Sequence, residues 1–195
     1  MLRKLSPAPR PMTPPNHLLI IGGTGMLAAA SKHLVELAHR ATLVARGRDG
    51  LERIAQSGEA RTLAVDYHHT DTLINELRAA RREHGPFDLV LLWIHSTAEP
   101  TFDAVVDLLG EQVEACRVFD VRGSASTDPT SEVDRRREYA NERVDYRRVV
   151  LGYVHEQGVS RWLTHDEICT GVLQAIANGA EEWVVGKVRP RGARP

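Results

Sequence analysis

Cysteine is scarce in this chain. Cys116 and Cys169 are the only two in 195 residues, and neither has a CxxC neighbour. With no paired-thiol motif, they read as two reduced, buried thiols of a cytoplasmic protein rather than as a disulfide framework. Long apolar runs are missing as well: none approaches the ~20 residues needed to span a bilayer. Nor is there an excess of charge of one sign. Lys and Arg total 25 against 26 Asp and Glu, a formal net charge of −1. No global field exists to hold a nucleic acid or an anionic membrane, so any anion site must be local. Aromatic residues make up only 5%, too few and too scattered for a base-stacking surface.

What is present suits one soluble globular domain, with 42% hydrophobic and 26% charged residues. Residues 1–16 carry Pro7, Pro9, Pro11, Pro14 and Pro15 and no apolar stretch of the kind a secretory leader needs. Proline fixes φ and removes a donor, so a solvated, partly extended tail is expected there, with a second tail over 189–195 and one domain over 17–188.

Between the tails, strand and helix patterns alternate. His17–Ile21 is a short apolar run ending at Gly22, as a strand buried on both faces reads. Apolar residues at Leu27, Ala30, Leu34, Leu37 and Ala38 then follow a helical spacing. Strands are expected over 41–45, 61–65, 87–94, 116–121, 144–151 and 182–185. Helices are expected over 51–57, 70–84, 100–113, 131–143 and 164–178, the last opened by a Thr164/Glu167 capping box. Such alternation specifies right-handed βαβ units: an α/β doubly wound parallel sheet, a three-layer αβα Rossmann fold of strand order 3-2-1-4-5-6, extended by a seventh strand.

The first strand runs into Gly22-Gly23-Thr24-Gly25-Met26-Leu27-Ala28. A glycine-rich turn between a buried strand and a helix is the context a dinucleotide site requires. Gly22 or Gly23 permits the tight turn, Gly25 lets backbone approach a pyrophosphate, and Ala28 keeps the helix close to its strand. Free N–H groups and the helix dipole then face the phosphates. The second strand ends in Arg46-Gly47-Arg48, where an NAD site usually offers an acid about 20 residues beyond the glycines. A guanidinium suits a 2′-phosphate, so NADP(H) is the expected cofactor, with Thr24 and Lys32 as weaker helpers. The competing reading makes Arg46 and Arg48 solvated loop charges. The missing acid also counts against an S-adenosylmethionine methyltransferase. Asp66, with Tyr67, closes the third strand and either accepts from an adenine amino group or forms a strand-end turn. Trp93, Ile94, His95 and Ser96 follow the fourth strand at its carboxyl end, where ligands of such sheets sit. His95 is placed to move a proton, to cap the next helix or to bond a ribose. Asp66, His68 and His69 do not make a convincing metal set, and none is expected.

With GGTGML (Gly22–Leu27), VAR (Val44–Arg46), VDY (Val65–Tyr67), DYRRVVLGYV (Asp145–Val154) and VSRWLTHDEICTGVLQAI (Val159–Ile176), the chain resembles the short-chain dehydrogenase/reductase superfamily, in particular its atypical NAD(P)-binding branch. The resemblance implies NADP(H) lying across the carboxyl ends of the strands. It also implies a serine after strand five, for which Ser124 and Ser126 are available. A Tyr-x-x-x-Lys on the next helix is the family's acid/base pair, and here only Tyr139-x-x-x-Arg143 comes near it. Arginine is permanently charged and differs in geometry, so an exposed helix tyrosine is the simpler reading of Tyr139. Ser124, His95 and Tyr139 are the candidate catalytic residues. The expectation is an NADP(H)-dependent oxidoreductase, or else a non-catalytic NADP(H)-binding redox sensor or regulatory protein. The partners expected are a small-molecule substrate or a redox-regulated protein, with self-association open.

Overall fold

Leu18, Leu19, Ile20 and Ile21 are all buried, and they form β1 (Leu18–Ile21), an interior strand of the sheet. An apolar run with no polar alternation must be covered on both faces, and helices supply that cover. The computed structural model describes residues 13–123, 139–156 and 158–188. After β1 come α1 (Ala28–Leu37), β2 (Ala41–Ala45), α2 (Arg48–Ala55), β3 (Ala60–Ala64) and α3 (Thr70–His84). These are followed by β4 (Leu89–Leu92), a 3₁₀ turn (Ser96–Ala98), α4 (Glu99–Gly110) and β5 (Cys116–Gly123). The chain continues through β6 (Val144–Leu151), β7 (Tyr153–Glu156), β8 (Val159–Trp162), α5 (His165–Asn178) and β9 (Glu182–Val185).

Seven parallel strands lie in the order β3-β2-β1-β4-β5-β6-β9, the topology expected from the alternation, with Glu182–Val185 as its last strand. One face is covered by α3 and α4, through Leu73, Leu77, Phe102, Val105 and Leu109. The other is covered by α1, α2 and α5, through Leu34, Leu51, Ile54, Val172 and Ile176. Each fully buried side chain of this kind stabilises the fold by roughly 1.5–3 kcal/mol. The capping box of α5 forms as expected, with Glu167 N donating to Thr164 Oγ1 and Thr164 N donating to Glu167 Oε2.

Four expectations change. The tail ends earlier than residue 16: Pro15 is buried, its carbonyl accepts from His39 N, and Asn16 N donates to Asp88 Oδ2. The fourth strand starts at Leu89 rather than Phe87, because Phe87 N and O bond the Gln112 side chain instead of a ladder partner. The antiparallel hairpin β7–β8 was not read from the sequence at all. The helix expected over 131–143 stops at Tyr139 in its described part; residues 131–138 lie outside the described residues.

Candidate functional site

The glycine turn after β1 is shaped by three different requirements. Gly22 has φ +79°, and a β-carbon there would stand 2.3 Å from the Trp93 carbonyl oxygen. Gly23 is hemmed in by Ile20 Cγ2 and Ser31 Oγ, each 2.4 Å from its would-be β-carbon, and Ser31 Oγ donates to the Gly23 carbonyl at 3.0 Å. Gly25 is the opposite case: it is exposed and has no atom within 4 Å of that position. Space for a ligand is therefore left at Gly25 alone, directly before α1. No side chain caps α1 and no acidic residue stands in its first turn. Ala28 N donates back to the Gly25 carbonyl at 2.9 Å; the other N–H groups of the first turn and the positive end of the helix dipole are the donors a phosphate takes.

The rest of the loop is anchored from behind. Leu27 is fully buried, so only its backbone is available to a ligand. Met26 is half-buried, and its carbonyl accepts from Cys169 Sγ on α5 at 3.1 Å. Thr24 lies against the first turn of α2, where a β-carbon at Gly50 would sit 3.0 Å from Thr24 Cβ. That approach leaves little room for a side chain at position 50, and it places α2 beside the loop.

Arg46 follows β2 directly, is exposed, and makes no hydrogen bond or ion pair among the described residues. Arg48 is exposed at the first position of α2. Asp66 lies two residues past the end of β3, within reach of the charge of Arg46. Its Oδ1 accepts from His68 N at 3.0 Å and pairs with His68 Nδ1 at 2.9 Å. The backbone bond from His68, its side-chain bond and, further down, the charge of Arg46 hold the carboxyl below its ordinary range. Tyr67 is half-buried; its carbonyl accepts from Thr101 Oγ1 at 2.8 Å, which ties the β3 exit to α4. Lys32 is exposed on α1 and makes no described contact with this group.

At the carboxyl end of β4, Trp93 is half-buried and its ring meets that of His95 edge-on at 5.2 Å. Ile94 points into the core at 2% exposure, which removes its side chain from the pocket candidates. His95 and Ser96 are exposed. His95 does not cap the following turn with its side chain; only its carbonyl serves, accepting from Ala98 N.

The acid/base candidates are separated. Ser124 and Ser126 lie outside the described residues. Tyr139 is not the exposed helix tyrosine expected: it is buried, its hydroxyl donates to Asp103 Oδ1 at 2.6 Å, and its ring lies 5.1 Å from Phe102 and 5.7 Å from Tyr146. Arg143 does not stand one helical turn above it. The chain has left the helix by then, and the Arg143 guanidinium donates to the Val113 carbonyl. Tyr139 and Arg143 therefore form no proton-transfer pair in this conformation.

One group escaped sequence reading. Asp120 is completely buried, and Arg122 Nε donates to both its oxygens at 2.9 and 2.7 Å. Tyr146 OH also donates to Asp120 Oδ2, at 2.6 Å. Arg122 reaches Glu99 Oε2 through NH1 at 3.4 Å and lies over the Phe102 ring at 4.6 Å. Burial opposes the charge of Arg122, but the Asp120 carboxylate and the bonds to it outweigh this and raise its pKa. Burial and the adjacent Asp120 charge likewise push the Tyr146 phenol well up. The signal was there: Asp120 and Arg122 are two apart on one strand, hence on one face. Cys116, by contrast, is inert, its thiol pushed up to about 12 by burial.

Solved structures share this architecture. A short-chain type dehydrogenase/reductase from Mycobacterium marinum superposes with a TM-score of 0.69 at 16% identity, covering 90% of this chain and 95% of that one. The fold is that of the short-chain dehydrogenase/reductases. A β-ketoacyl-[ACP] reductase (FabG) from Bacteroides thetaiotaomicron gives a TM-score of 0.65 at 15% identity over 88% of this chain and 97% of that one. A metagenomic short-chain oxidoreductase in complex with NADP gives 0.59 at 18% over 88% and 96%. No family model matches the chain, and no curated protein matches it in sequence. No helix among the described residues is long and apolar enough to cross a membrane.

Proposed function

We propose that the protein binds NADP(H) and acts as a short-chain-dehydrogenase-like oxidoreductase on a small molecule. The observation that carries the reading is the open space at Gly25 in front of an uncapped α1, at the carboxyl end of a doubly wound sheet. The residues present fit a dinucleotide: Thr24, Gly25 and Met26 would hold the pyrophosphate through backbone N–H groups. Trp93 and His95 border the route toward the reacting end. Bound there, the cofactor would supply or accept hydride, and the protein would orient it and keep its ribose and phosphates in place. Three of the similar structures hold a dinucleotide: the metagenomic oxidoreductase NADP, a xylitol dehydrogenase NAD+ and a putative D-mannonate oxidoreductase NAD.

The choice of NADP(H) rests on Arg46, exposed and without an ion-pair partner among the described residues, where a ribose-binding acid would stand. Titrating the protein with NADPH and with NADH, followed by cofactor fluorescence, tests both steps. Saturable binding with NADPH the tighter ligand is expected, and no binding of either would end the reading. A second reading, a non-catalytic NADP(H)-binding sensor, draws support from Tyr139, whose hydroxyl is occupied by Asp103. A protein that binds NADPH yet turns over no carbonyl compound or alcohol would be that sensor.

A further inference from the structure

The amino ends of three strands border a cavity that the nucleotide reading does not use. It measures about 420 Å³ and lies where β4, β5 and β6 begin, beside the last turn of α5 and against Pro14 and Pro15. Small-molecule sites usually measure about 300–1,000 Å³. Register fixes its floor: Leu89 pairs with Arg117, and Arg117 with Asp145. Residues opposite one another share a face, and Leu89 packs in one core cluster with Ile176 of α5. Ile21 pairs with Leu92, and Leu92 with Asp120. The glycine turn therefore lies about 13 Å up the sheet from Arg117 and two strands away, at the opposite edge.

Two polar groups on this floor have capacity left. Three donors reach Asp145, and all three end on Oδ2: Arg147 NH2 at 2.8 Å, Arg147 Nε at 3.0 Å and Arg117 Nε at 3.4 Å. Oδ1 has no hydrogen-bond partner among the described residues. Arg117 reaches only that one oxygen, so its NH1 and NH2 are unused among them. Spare acceptor and spare donors thus stand on neighbouring strands, whose spacing is about 5 Å. Asp88, on the rim, differs: its Oδ1 and Oδ2 accept from His17 N and Asn16 N.

The balance of charge narrows the ligand. Arg117 and Arg147 stand against Asp88 and Asp145, so the group is neutral as a whole but divided. Negative potential reaches the inner wall. Burial first, and then the charges of Asp145 and Asp88, push the Cys116 thiol up to about 12. α5 adds the negative end of its dipole, with no basic residue in its last turn, although Arg147 donates to the Gly179 carbonyl just beyond. A bare carboxylate on Arg117 would meet Asp145, and a bare amine at Asp145 would meet Arg117. A ligand carrying both charges on adjacent carbons satisfies both. Pro14, Pro15, Leu89 and Ile176 offer it an apolar wall.

We propose that this cavity binds a free α-amino acid with an aliphatic side chain. Its carboxylate accepts from NH1 and NH2 of Arg117, its ammonium donates to Asp145 Oδ1, and its side chain lies against Leu89 and Ile176. The site is separate from the nucleotide cleft and does not depend on the cofactor reading.

The test is titration calorimetry on the full chain with L-leucine as the probe. Saturable binding with a Kd below about 10 mM is expected. 4-Methylpentanoate lacks the ammonium and 3-methylbutylamine lacks the carboxylate. Each should bind at least about tenfold more weakly than leucine. Arg117→Gln, at a half-exposed position, should weaken leucine by about tenfold or more while the chain stays folded. Absence of saturable leucine binding overturns the proposal, as does equal affinity for the three probes. Unchanged leucine affinity in Arg117→Gln, shown folded by circular dichroism, overturns it too. Should that variant unfold, the three-probe comparison on the unmodified chain decides alone.

Discussion

The carbonyl oxygen of Trp93 stands 2.3 Å from the place a β-carbon on Gly22 would occupy, so β4 and the glycine turn fit together only because Gly22 has no side chain. Positive φ at the same residue adds a second demand for glycine. Gly22→Ala is therefore expected to destabilise the fold, by about 2–4 kcal/mol, from backbone strain plus overpacking. Urea denaturation read by circular dichroism checks this; a loss under about 0.5 kcal/mol would mean the turn relaxes freely.

Gly25 should behave in the opposite manner. Nothing surrounds its would-be β-carbon, so Gly25→Val leaves the fold intact and fills the space assigned to pyrophosphate. Stability should change by less than about 1 kcal/mol while NADPH binding is lost. A variant that still titrates with NADPH would refute the loop's role.

Arg46→Asp should reverse cofactor preference. Losing a charge-assisted contact costs about 1.5–3 kcal/mol, or roughly 10- to 150-fold in NADPH affinity, with NADH spared. Equal affinity for the two cofactors before mutation would show that Arg46 is a solvated loop charge.

Tyr139→Phe separates structure from chemistry. The hydroxyl bonds Asp103 at 2.6 Å among packed rings, so its removal should cost about 1–2 kcal/mol of stability. NADPH affinity should not change. A loss of turnover at constant stability would instead restore the tyrosine to the active site.

Acid should loosen the amino end of the sheet. His17 is buried, with Nδ1 2.9 Å from the Gly85 carbonyl and Nε2 2.9 Å from Thr42 Oγ1. Burial, chiefly, lowers its pKa below 6.5. The folded form therefore binds fewer protons than the unfolded one. The stability His17 contributes is complete above pH 6.5 and is lost as pH falls through the folded pKa. Glu167, held at about 2 first by Arg161 and then by the Thr164 backbone, acts lower still: its share is present above 4.5 and is lost as pH falls toward 2. Urea midpoints from pH 7.5 to 5 should fall, and His17→Gln should flatten that fall. An unchanged slope in the variant would place the titration elsewhere.

Elements with strong local signals were legible in the sequence. The helix over Thr70–His84 and the strands over Ala41–Ala45 and Val144–Leu151 fall at their expected residues, because apolar periodicity and end signals agree there. α2 begins three residues before the expected Leu51, at Arg48. Gly50 lies inside that extra turn, close against Thr24, a tertiary contact. The β7–β8 hairpin hid in two four-residue strands that mix His155, Glu156, Ser160 and Arg161 with apolar residues. At the site, the glycine turn was legible because glycine has few uses in that setting. Burial of Tyr139 was not, since the helix carrying it shows little apolar face and Phe102 comes from a distant segment. The Asp120–Arg122 pair does not stand out in the sequence because the fifth strand is expected to end at Val121, which leaves Arg122 outside it; β5 runs on to Gly123.

Cys169 donates its thiol proton to the carbonyl of Met26 across 143 residues of sequence. During synthesis the helix that backs the glycine turn emerges 143 residues after it, counted from Met26 to Cys169. Contacts of such long separation are slow to form, because the chain must close a large loop before they stabilise anything. The glycine turn is thus expected to complete its backing only once α5 has been made, and truncation before α5 should leave a nascent chain whose β1–α1 turn is still unbacked.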